Sequence, residues 1–114
     1  MAIHYNLSKV FALSDNDTEF AKQLAMVFVA EVPQDLEGLK NGIKEKNHQQ
    51  AYSFAHKIKP TLDLLGMTVA HEELLIIEQW AKNKGKRKEI KETFKSMKDR
   101  VKKAVKELKK DLNI

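Results

Sequence analysis

The chain holds few side chains able to do covalent chemistry. It has no cysteine, which excludes thiolate nucleophiles, thiolate metal sites and disulfides. No G-x-S-x-G, H-E-x-x-H or phosphate-cradling glycine signature occurs. Four histidines remain, at positions 4, 48, 56 and 71. No two of them stand four residues apart, so a helical pair of zinc ligands is missing and a metal site is not expected. His4, His48 and His71 have no matching company. His56 does: Lys59 follows at i+3, Pro60 at i+4 and Asp63 at i+7, with Tyr52 at i−4. An imidazole has an unperturbed pKa of about 6.5, so near neutral pH much of it is neutral and nucleophilic. Nucleophilic attack by His56, with a cation one turn away, is the chemistry on offer.

These residues need a helix to gather them. At about 100° per residue, Ala51, Phe54, Ala55, Ile58, Leu62 and Leu65 form one apolar stripe, and His56 falls nearly opposite it. The pattern predicts a helix from His48 to Leu65, capped by Gly66, with His56 exposed in its middle. Most exposed histidines are plain surface residues. Pro60 sets this one apart. Inside a helix, proline removes one hydrogen bond and crowds the carbonyl four residues back, costing about 3 kcal/mol. Here that carbonyl belongs to His56. The stripe keeps its phase from Ile58 to Leu62 and Leu65, so a continuous, kinked helix is expected. Breaches of local rules concentrate at functional sites.

The rest of the chain reads as helices as well. Glycine and proline are few, at four and two, and strict alternation is absent. A short helix is predicted over Tyr5 to Leu13, with a turn at Ser14–Asp17 that offers N-caps. A second helix runs from about Asp17 to Val32, and a third from Pro33 to about residue 46. Asn47 is a break. After the His56 helix come Thr68 to Asn83 and Arg87 to Leu112, joined at Lys84-Gly85-Lys86. Short loops between long helices imply antiparallel neighbours. The expected fold is all-α: an antiparallel, up-down-up-down four-helix bundle with one or two short additional helices, in a single domain over residues 1–114. On the second helix, Phe20, Leu24, Val27 and Phe28 are expected to face the core. Met26 and Val29 fall on another side, either as part of a partner-docking patch or packed against the N-terminal helix.

Charge is unevenly spread. Residues 1–60 hold seven lysines and seven acids, so the whole net charge of +5 lies in residues 61–114. Lys84 to Lys110 alone holds thirteen Lys or Arg against four acids. A basic helix attracts nucleic-acid phosphate. Yet Ile90, Phe94, Met97, Val101, Ala104, Leu108 and Leu112 recur at spacings of three and four, and lysine stems can flank such a stripe. The one aromatic residue belongs to the stripe, so no base-stacking platform is apparent. No run of about 18 apolar residues is present to span a membrane. The first residues lack a signal-peptide pattern. A cytoplasmic monomer is expected.

The segment from His56 to Gly66 resembles the signature of histidine-containing phosphotransfer (HPt) domains, roughly H-x-[LI]-K-G-[ST]-x-x-x-[LM]-G. His56, Ile58, Lys59, Thr61, Leu65 and Gly66 match at the right spacing. Tyr5-Asn6-Leu7, Asp17-Thr18-Glu19-Phe20 and Glu31-Val32-Pro33 with Leu36 and Leu39 resemble further family features, in order, over most of residues 5–80. Pro60 departs from the family's glycine, where a small residue lets a partner approach. The resemblance implies that His56 accepts a phosphoryl group from a receiver-domain aspartate and passes it to another. Lys59 would offer charge to the phosphoryl oxygens. Pro60, Asp63, Tyr52, Met26 and Val29 would meet the partner, with Gly66 a structural motif residue. Partners would be receiver domains of response regulators or a hybrid sensor histidine kinase. The chain would have no kinase activity and no cofactor of its own, with Mg²⁺ supplied by the receiver. A non-catalytic helical adaptor and a basic nucleic-acid-binding bundle are the alternatives.

Overall fold

A computed structural model describes residues 4–114 of the chain. It contains α1 (Ser8–Leu13), α2 (Thr18–Lys44), α3 (His48–Leu64), α4 (Thr68–Lys82) and α5 (Arg87–Leu112), with no strand among the described residues. Local chemistry accounts for the helix ends. The Asp17 carboxylate accepts the Phe20 N–H at 3.1 Å, and the Asn47 side chain accepts the Gln50 N–H at 3.1 Å, so each cap satisfies an orphan donor. At the end of α3, Met67 N–H donates to Leu62 O and Gly66 N–H to Asp63 O, both at 3.0 Å. This pair of reversed bonds needs a left-handed residue between them. Gly66 supplies it at φ 66°. A Cβ there would also stand 2.8 Å from the Asn6 carbonyl oxygen, so glycine is required twice over.

The long helices contact one another in a ring: α2 on α3, α3 on α4, α4 on α5 and α5 on α2. Within two of these contacts, α2 with α3 and α4 with α5, the helices run in opposite directions. Lys57 meets Asp35 while Ala51 lies against Gly42, and Arg100 meets Glu73 while Lys86 lies against Trp80. The centre is filled by Phe28, Leu39, Ile58, Leu62, Leu74, Ile77, Met97 and Leu108, all fully buried. The segment just ahead of α1 is tied down as well. Tyr5 is buried ahead of α1, and its hydroxyl donates to Asp111 at 2.9 Å. Burial, and then the Asp111 hydrogen bond and charge, push the Tyr5 pKa up to about 12.

Two expectations need correction. Pro33 does not open a third helix; it lies inside the unbroken α2. The buried stripe Phe28, Val32, Leu36, Leu39 keeps its phase across Pro33, and burying that stripe outweighs the lost hydrogen bond. Second, Phe20 and Val27 do not face the core: they are 45% and 51% exposed. Ala21 and Ala25 take the inward positions beside Phe28, with Leu24 half-buried. Small residues let the neighbouring helices close on α2, whereas a reading weighted by side-chain size turns the helix the wrong way. Among the described residues, no helix is long and apolar enough to cross a membrane.

Candidate functional site

The rotation of α3 is set from two sides. Ala51, Ala55, Ile58 and Leu62 are buried on its inner face. Beside them, Lys57 Nζ donates at 3.0 Å to Asp35, a buried carboxylate on α2. The Asp35 hydrogen bond and charge raise the Lys57 pKa. With the helix held this way, His56 points outward and its side chain is 62% exposed.

The outward ring is not loose. His56 Nδ1 lies 3.1 Å from Glu78 Oε2, and Lys59 Nζ donates to Glu78 Oε1 at 3.1 Å. Glu78 comes from α4, and its side chain is only 14% exposed. Burial pushes its pKa up, but the hydrogen bonds from Lys59 and His56, with their charges, outweigh burial and hold the carboxyl below its ordinary value. At neutral pH Glu78 is therefore ionised, and an ionised carboxylate only accepts. The shared hydrogen must sit on His56 Nδ1. In the neutral ring that leaves the lone pair on Nε2, which has no hydrogen-bond partner among the described residues and faces away from Glu78. Tyr52, one turn back, stacks on the imidazole at 5.8 Å between centroids and 10° between planes. Glu78 thus fixes tautomer and orientation together, and Tyr52 limits the ring's tilt.

The other candidate residues distribute as follows. Pro60 is exposed inside the continuous α3, and it cannot donate to the His56 carbonyl. Asp63 touches neither Lys59 nor His56. It accepts from Lys9 Nζ at 2.8 Å, tying α1 to α3, and that hydrogen bond and charge lower its pKa. Gly66 closes α3 ten residues beyond His56. Met26 and Val29 are not gathered with the others. Met26 stands seven residues before Pro33, and Val29 seven before Leu36; both of those line the α2–α5 seam, so the pair belongs to that flank of α2. Val29 packs against the core, while Met26 is 50% exposed. Val27 is 51% exposed and stands four residues before Glu31, whose charge acts on Lys57.

Sequence reasoning missed Glu78. The available signal was a lone acid inside the apolar run Leu74–Trp80, placed one step from the inward Ile77. No group of three or more His, Asp or Glu able to hold a metal ion occurs among the described residues. No protein-family model matches the chain, and no curated protein or solved structure matches it. The functional reading therefore rests on the geometry around His56.

Proposed function

We propose that the chain is a phosphohistidine carrier, an HPt-like antiparallel four-helix bundle with one short additional helix, α1. In this reading His56 takes a phosphoryl group from a receiver-domain aspartyl phosphate and hands it to a second receiver. The observation that carries it is the carboxylate of Glu78 holding both His56 Nδ1 and Lys59 Nζ at 3.1 Å, with Nε2 free towards solvent.

The step balances without a base on this chain. The Nε2 lone pair attacks phosphorus, the N–P bond forms, and the P–O bond to the aspartate breaks, leaving a carboxylate on the receiver. The Nδ1 hydrogen stays in place against Glu78. The positive charge that develops on the ring during attack is met by that buried anion. Phosphoryl transfer asks mainly for in-line positioning and charge neutralisation. Positioning comes from Glu78 and Tyr52. Lys59 needs only to turn from Glu78 to reach the incoming oxygens. Mg²⁺ belongs to the receiver in this scheme. The resulting phosphoramidate is labile, so the reverse transfer is open too.

The test is transfer from a phosphorylated receiver in the presence of Mg²⁺. The expected product is acid-labile, alkali-stable and bonded through Nε2, with no label on His56→Gln. Equal labelling of His56→Gln overturns the site, and phosphate on Nδ1 overturns the role given to Glu78. Nitrogen NMR of the free protein should find the Nδ1–H tautomer dominant in the wild type, and less so in Glu78→Leu.

A further inference from the structure

Across the ring from His56, the α2–α5 seam is the loosest of the four. Two hollows of about 360 and 270 Å³ run along it and share Lys98. Their floor is apolar: Ile43 and Phe94 in the first, Leu36, Val101 and Val105 in the second. The first is walled by Lys40, Lys44, Arg87, Lys91, Lys95 and Lys98. None of these six cations is in an ion pair among the described residues. Arg87 donates to the Lys44 carbonyl at 2.8 Å, closing the end of α2. The second hollow adds Lys102 and the groove's single acid, Glu37. From residue 87 to residue 105, α5 runs along the groove for about 27 Å.

We propose that this groove receives an acidic amphipathic helix of a partner protein. Its apolar residues, at spacings of three and four, would cover the floor. Its carboxylates, on both flanks, would meet the two cationic walls. About five turns, or roughly eighteen residues, fill the length. Six unpaired like charges around one trench repel one another, and an acidic occupant removes that repulsion; Ile43, Phe94, Leu36 and Val101 are already buried, so its apolar residues would rest on half-buried Val105 and the lysine stems.

Other anionic occupants fit less of the groove. Nucleic acid would engage the lysines but leave the floor empty, and Phe94 is buried rather than presented for stacking. A membrane surface would need apolar side chains projecting outward, and α5 carries no exposed large hydrophobic residue. The groove lies away from the α3–α4 face, so occupation of one leaves the other open. The proposal does not rest on phosphotransfer.

The probe is a fluorescein-labelled helical peptide with a leucine stripe flanked by glutamates, followed by fluorescence anisotropy at low salt. Three comparisons accompany it: the same peptide with leucine replaced by alanine, a DNA strand of equal charge, and anionic phospholipid vesicles. Lys91 and Lys95 are exposed, so the double variant Lys91→Glu, Lys95→Glu should keep its circular dichroism. We expect the leucine peptide to bind, to lose at least about tenfold in affinity on that variant, and to lose at least about fivefold when its leucines become alanine. Failure of the leucine peptide to bind, equal binding of the alanine peptide, or tighter binding of DNA or vesicles would overturn the proposal.

Discussion

The α3–α4 face and the α2–α5 groove treat charge in opposite ways. On the first, Glu78 grips His56 and Lys59, and the neighbouring charges of α3 are held too, Lys57 by Asp35 of α2 and Asp63 by Lys9 of α1. In the groove, six cations stand together with no carboxylate partner among the described residues. Fixed pairs define directions in space, which a reacting atom requires. Unpaired charges define only attraction, which a binding partner can satisfy in many poses. In the proposed reading, the net charge of the chain therefore lies away from the site of chemistry. The face around His56 holds its charges in fixed pairs.

That contrast can be broken experimentally. The largest effect is expected from His56→Gln, which should abolish phosphoryl uptake and leave peptide binding in the groove within about twofold, because distant sites act independently. Any loss of peptide binding beyond that would mean the two regions are coupled. Lys59→Ala comes next. By analogy with removal of one charge-stabilising donor, single-turnover transfer should slow by roughly a hundredfold to a thousandfold with the helical content unchanged. An unchanged rate removes Lys59 from the mechanism. Conversely, the groove double variant should transfer phosphate at nearly the wild-type rate from a receiver held at saturating concentration.

Two smaller effects sharpen the structural side. Gly66→Ala should lower the stability by about 1–3 kcal/mol, read from the denaturant midpoint, since φ is positive and Asn6 leaves no room for a Cβ. A neutral outcome would mean that Asn6 is free to move off the end of α3. Tyr5 predicts an alkaline limit. Its folded pKa of about 12 lies above the ordinary 10.0, so its contribution is complete below pH 10 and lost as pH rises towards 12. In Tyr5→Phe that part of the pH dependence should vanish. Glu78 has the opposite sign. Its carboxyl sits below its ordinary 4.5, so its contribution is present above that pH and fades as acid takes it through the lower folded value.

The two prolines show how far the sequence could be read. Across Pro60 the apolar phase persists from Ile58 to Leu62, and a continuous helix follows. The same phase persists across Pro33, from Phe28 to Leu36 and Leu39, and there it overrides the preference of proline for the first turn of a helix. One physical argument covers both sites: burial of a stripe over several turns outweighs one missing hydrogen bond. On α2, alanine misled in another way. Ala21 and Ala25 carry little hydrophobic weight in a sequence, yet they decide how closely the neighbouring helices approach.

The amino-acid sequence by itself determined the helical class, most helix ends, and the outward direction of His56. These are local matters, settled by caps, turns and a period of 3.6 residues. Only the tertiary structure decided what meets the imidazole. Glu78 lies 22 residues downstream, on another helix, and reaches His56 only because the packed core sets the offset and rotation of α4 against α3. The same packing gave Asp63 to Lys9 rather than to Lys59, and left the six groove cations outside the ion pairs of the described residues. Periodicity names the face of a helix, but the partner on that face depends on the contacts of the whole core.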